Sequence, residues 1–115
     1  MIIENLIYNG VPIDAILSQN DNMALGAVEA VEEAGLQESI LVFGIDGDSP
    51  AIDAVAQGRL AGTVYMDAYR QALQIAECIQ MARNGRMPDK EYLVPFVVLD
   101  GESIRDEGVQ RLLVR

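Results

Sequence analysis

Three short apolar runs, each followed by a segment of helical pattern, constrain this chain more than any other feature. Residues 13–18 (IDAILS) come after Gly10 and Pro12 and read as a buried strand. Over residues 21–34, Ala24, Ala27, Val28, Val31 and Ala34 form a helical stripe, with Glu29, Glu32 and Glu33 largely off it and Gly35 as the stop. Residues 40–45 (ILVFGI) are a second apolar strand, and Ser49-Pro50 supplies an N-cap and a first helical proline for a helix reaching Gly58. Residues 60–66 give a third strand, followed by a longer helix over about 67–83 that Asn84-Gly85 closes. Residues 92–99 are a last extended stretch interrupted by Pro95, and a short helix with Ile104, Val109 and Leu112 is expected near 102–113.

Apolar strands alternating with amphipathic helices predict an α/β fold, a three-layer parallel sheet of Rossmann-like type with helices on both faces. Ligands of such sheets bind beyond the carboxyl ends of the strands. Three polar stretches fall there: residues 19–22, 46–49 and 65–67. The chain opens on what reads as the tail of a helix, residues 2–7, and a sheet of three parallel strands has a poorly protected edge and a half-covered face. The pattern therefore reads as part of a larger sheet.

Composition narrows the function. The formal charge of −10, with scattered basic residues, opposes binding to a phosphate backbone, so no nucleic-acid partner is expected. The absence of histidine removes the commonest general base and metal ligand. No nucleophile–base pair is visible, so neither an enzyme nor a metal or cofactor site is expected. Cys78, alone and in a helical pattern beside Ile75, Ala76 and Ile79, reads as a small core-facing thiol. No apolar run approaches the roughly 20 residues of a membrane span, and the first ten residues lack the features of a signal peptide.

The segments QNDNMALGAVEAVEEAG and VFGIDGDSPAIDAVAQGRLAGTV, with the long helix after them, resemble the pentose- and hexose-binding periplasmic proteins of the ribose-binding type. Each motif is weak alone; together, in order, they cover about two-thirds of the chain. The resemblance implies a type I periplasmic binding fold, of which this chain matches only the C-terminal portion. Residues 1–66 would form part of the C-terminal lobe, 67–95 a helix and strand of the N-terminal lobe, and 96–115 the return segment and tail. Tyr65, Met66 and Asp67, with Val94, Pro95 and Phe96, would be two hinge crossings. Asn20 matches the family asparagine that bonds sugar hydroxyls, and Asp46 the aspartate that accepts two hydroxyl protons. Met66 stands where the family often has glutamine, so Tyr65 or Asp67 would substitute, or the ligand would be less polar than ribose. The implied partners are a monosaccharide and the membrane permease of an ABC transporter, in a periplasmic or extracellular setting. Exposed edges or exchange of residues 67–115 between chains would favour a homo-oligomer.

Other readings attach to the same residues. Asp21 and Ser49 are the expected helix caps, and Asn22 is solvated. Asp46 as a phospho-acceptor would need an acidic pair and a strand-end lysine, whereas Lys90 lies in a loop. Asp46, Asp48 and Asp53 lack the spacing of a calcium loop. Gly44 and Gly47 without a downstream lysine make a weak phosphate cradle. The effector domain of lactose-repressor-type regulators shares the fold, but this chain has Asp46-Gly47 and Ala61-Gly62-Thr63 where those show paired aspartates and a Leu-Thr-Thr. A self-associating structural piece without ligand is the remaining alternative.

Overall fold

The structure, a computed structural model, describes residues 2–114. Its elements are α1 (Ile2–Tyr8), β1 (Ala15–Leu17), α2 (Asp21–Glu33), β2 (Leu41–Asp46), α3 (Ser49–Ala56), β3 (Gly62–Tyr65), α4 (Ala68–Arg83) and β4 (Val97–Asp100). A 3-10 turn at Ser103–Arg105 and α5 (Glu107–Leu113) close the chain. The sheet runs β1-β2-β3-β4, parallel across the first three strands.

β4 departs from the expected parallel order: it pairs antiparallel with β3, Tyr65 opposite Val97 and Gly62 opposite Asp100. The reason is topological. The chain leaves β3 at its carboxyl end, makes α4 outside the sheet, and re-enters at that same end. Without a crossover back to the other end, the returning strand can only run antiparallel.

Coverage of the sheet is one-sided. α2 and α3 pack on each other, α2 against β1 and β2, and α3 against β3 and β4, so both lie on one face. Ala24, Ala27, Val28, Val31, Val42, Ala54, Val55 and Leu60 meet there in the buried core. The stripe read from sequence includes four of these, but Ala30 is buried as well and Ala34 caps the helix in exposed surroundings. On the opposite face Leu17, Leu41 and Val98 are 75%, 56% and 65% exposed. Among the described residues the sheet is thus covered on one side, the half-covered face expected of so few strands, although the full pattern has helices on both.

α4 stands apart. It packs closely on none of the other elements and buries no residue; Ile75 and Ile79 are 61% and 57% exposed. Cys78 is half-buried on this helix and not in the core. The projection stretches the molecule to 61 Å and its radius of gyration to 18.1 Å. A compact chain of about 100 residues would measure roughly 13 Å.

One exposed ion pair ties the core helices together. Arg59, just beyond α3, donates from Nε and Nη2 to Glu32 Oε1 and Oε2 of α2 at 2.8 and 2.7 Å. These hydrogen bonds hold the Glu32 carboxyl below its ordinary range and raise Arg59. A carboxyl with a lowered folded-state pKa stabilises the fold above its unfolded value, and that contribution is lost as pH falls through the folded value. Thermal melts across the acid range should therefore lose less stability in Glu32→Gln than in the parent chain. Equal acid sensitivity in both would show that solvent screens the pair to no effect.

Candidate functional site

The carboxyl ends of β1, β2 and β3 open onto three neighbouring loops. β1 leads through Ser18, whose amide donates to the Phe43 carbonyl at 2.9 Å, into Gln19 and Asn20. β2 ends on Asp46 and β3 on Tyr65, opposite each other in the parallel register. The Met66 amide donates to the Asp46 carbonyl at 3.0 Å, extending that pairing one step. Asn20, Asp46, Tyr65 and Met66 are all half-buried at this end of the sheet.

Asn20 caps α2: its Oδ1 accepts from the Met23 amide at 2.9 Å, with its backbone extended at φ −151°. This corrects the expected cap, Asp21. An extended residue one position earlier can fold its side chain back over the helix start, whereas Asp21 already lies in the first turn. Asp21 is instead fully buried and bonded elsewhere. Its Oδ2 accepts from the amides of Gly47 and Asp48, each at 2.8 Å, and its Oδ1 from the Thr63 hydroxyl at 2.6 Å.

The cap of α3 is corrected in the same way. Asp48 takes the N-cap position with no side-chain bond, and Ser49 is the first helical residue, so the proline follows one turn position later than expected.

Asp46 carries a feature absent from the sequence reading. It is a non-glycine residue at positive φ, 126°, and no other such residue occurs among those described. Such backbone costs roughly 1–3 kcal/mol and persists only where its surroundings enforce it. Gly47 beside it sits at φ 77°, where a Cβ would lie 2.7 Å from Tyr65 Cα, so only glycine allows β2 and β3 to end this close together.

Asp67 is 3% exposed. It caps α4, its Oδ1 accepting from the Arg70 amide at 2.9 Å, while Oδ2 is buried with no partner among the described residues. Val94, Pro95 and Phe96 precede β4, and Tyr65 pairs with Val97, so the two segments leave the sheet side by side. Arg70 and Gln74 of α4 face Leu93, Val94 and Pro95 across a cleft of about 280 Å³. Among the described residues no group of His, Cys, Asp or Glu is placed to hold a metal ion. No described helix is long and apolar enough to cross a membrane.

With this geometry fixed, comparison with known proteins identifies the family. Residues 2–87 match the periplasmic binding protein domain. The chain belongs to that family.

A D-galactose/methyl-galactoside binding periplasmic protein of Haemophilus influenzae is 30% identical over 103 residues, which span 82% of this chain and 30% of that protein. An ABC transporter periplasmic solute binding protein from Actinobacillus succinogenes, solved with bound D-allose, aligns with a TM-score of 0.86 at 36% identity. That alignment covers 90% of this chain and 36% of the other. An ABC transporter solute binding protein from Bacillus halodurans with bound myo-inositol aligns with a TM-score of 0.85 at 32% identity, over 96% and 38% of the respective chains. The chain thus spans about a third of the length of the relatives it matches. Its sheet and helices are a partial lobe of the type I periplasmic binding fold.

The cap that Asn20 supplies is tested by substitution. Asn20→Ala should lower stability by about 1 kcal/mol, whereas Asn20→Asp, which preserves the acceptor, should stay close to the parent. Urea titrations of the three chains measure this directly.

Proposed function

We propose that this chain carries one wall of a monosaccharide-binding cleft, the C-terminal wall of an ABC-transporter solute-binding protein. The observation that carries the reading is the placement of Asn20 and Asp46 at adjacent strand ends. One offers an amide and the other a carboxylate, and Asp46 is held there at positive φ. Sugar hydroxyls both donate and accept, and such planar groups pair with them bidentately. The names of the relatives support this class: they bind galactosides, allose or inositol. Tyr65 and Met66 would line the cleft. Asp67 would cap α4 through Oδ1, with its buried Oδ2 unpartnered among the described residues.

Residues 1–66 and 96–115 are assigned to one lobe, and residues 67–95 to the other, with 65–67 and 94–96 as hinge crossings. The side-by-side exit of those segments and the detachment of α4 support this division. Closure of two lobes on a sugar would shift an open–closed equilibrium by contacts made only in the closed form. The working protein would be periplasmic or extracellular and would dock on a membrane permease.

With one wall of the cleft, this chain should bind pentoses, hexoses and cyclitols no better than millimolar, about −4 kcal/mol. Isothermal titration against such a panel is the test, and Asp46→Ala should remove any heat that appears. Micromolar binding would overturn the single-wall reading; binding that survives Asp46→Ala would overturn the site.

A second property follows from the exposed surface. Leu17 and Leu41 are uncovered on the sheet, and an apolar groove of about 530 Å³ runs beside β1 between Ile2, Ile3, Leu17 and Met23. Such surface is unstable in water and favours self-association. Light scattering should give a mass above that of one chain, rising with concentration. A constant monomeric mass would exclude it.

A further inference from the structure

We propose that Asp21 is a positioning residue of the candidate site: its buried carboxylate sets the backbone of Asp46. The relevance of this to ligands rests on the sugar-binding reading; the mechanical claim does not.

Asp21 has no exposure to solvent, yet it is not buried by accident of packing. Its three bonds run to two places: the two amides directly after Asp46, and the hydroxyl of Thr63 in the adjacent strand. Thr63 is itself buried and lies opposite Gly44 in the register of β2 and β3. Gly44 makes room for the carboxylate, since a Cβ there would collide with Asp21 Oδ1 and crowd the Asp21 Cα at 3.3 Å. Glycine in mid-strand sacrifices packing and commonly marks a close approach by another group. Here that group is the side chain of Asp21.

The consequence falls on Asp46. Its carbonyl is engaged by the Met66 amide, and the two peptide groups after it are turned so that both N–H bonds point at Asp21 Oδ2. The peptide between Asp46 and Gly47 is thereby held at both its carbonyl and its N–H, and the pairing of β2 with β3 holds the strand on the other side of Asp46, so the φ of 126° has no room to relax to the extended range. Asn20, immediately before Asp21, is drawn to the same place by the chain. One carboxylate therefore sets the spacing between the amide of Asn20 and the carboxylate of Asp46.

Chemistry distinguishes this from simple core filling. Asparagine can direct its oxygen to the two amides and its NH₂ to Thr63, whose hydroxyl turns round to accept. Asp21→Asn should therefore preserve the arrangement, and Asp21→Ala should abolish it. Asp21→Asn combined with Thr63→Val strands the NH₂ against a methyl and should fail as well.

NMR on the isotopically labelled chain reads this without ligand. In Asp21→Ala the amide protons of Gly47 and Asp48 should exchange with solvent at least tenfold faster. The HN–Hα coupling of Asp46 should move from its positive-φ value to that of extended backbone, while shifts around Leu36 and Ile40 stay in place. Asp21→Asn should show neither change, and the double variant should show both. Unchanged exchange and coupling in a folded Asp21→Ala or in the double variant would overturn the proposal. Loss of the fold in both would overturn it too, by assigning Asp21 to stability alone. The sugar reading fails separately: sugar-binding heat that survives Asp46→Ala would overturn it while the Asp21 results stand.

Discussion

A carboxylate removed from water needs donors, and Asp21 finds three within 2.8 Å on the β2–α3 loop and β3. Removing one partner from such a group leaves a buried oxygen unsatisfied, at a cost of about 1–3 kcal/mol. That is a large share of the 5–15 kcal/mol that typically holds a domain together. The start of α2, the end of β2 and the middle of β3 are thus joined at one point, and the geometry of the candidate site is referred to it. The N-terminus of α2 adds to this, because its aligned peptide dipoles favour negative charge in the first turn.

Much of this was legible from residue patterns, and the failures have physical causes. The strand–helix alternation located every strand of the parallel part, because buried strands and amphipathic helices have different periods. The direction of β4 was not legible, since periodicity says which side chains are buried and nothing about which way a strand runs. The swap of roles between Asn20 and Asp21 has a related origin. Both are good caps, and only the three-dimensional position of Gly47, Asp48 and Thr63 shows which side chain is drawn inward. The signal that could have separated them was Gly44, a glycine inside an otherwise continuous apolar strand.

The sheet's open face and the isolation of α4 both leave apolar surface uncovered. The resemblance in sequence anticipated a chain with parts of two lobes, and the relatives are about three times as long. Helix α4 is amphipathic in sequence, with Ala72, Ile75, Ala76 and Ile79 along one side, yet Ile75 and Ile79 stay uncovered. In solution, exposed apolar area of this kind contributes no stability until something covers it, at about 25 cal/mol per Å². The core beneath α2 and α3 does not share that weakness, because its residues already cover one another.

The proposed division into lobes would give the hinge a physical logic. A binding protein that closes on its ligand needs rigid walls and a compliant joint, since closure is driven only by contacts that differ between the two states. On that proposal the backbone around Asp46, held by hydrogen bonds, would lower the ordering cost of binding. The joint is equally distinct. Beyond Tyr65 and Val97 the pairing of β3 with β4 ends, and the Met66 amide still ties the chain to the Asp46 carbonyl. In the proposed hinge, rotation that falls after that amide within residues 65–67, together with rotation about 94–96, would swing α4 and leave Asp21, Asp46 and Thr63 in place. A cleft built this way can change its opening while the hydrogen-bonding geometry of its wall stays constant.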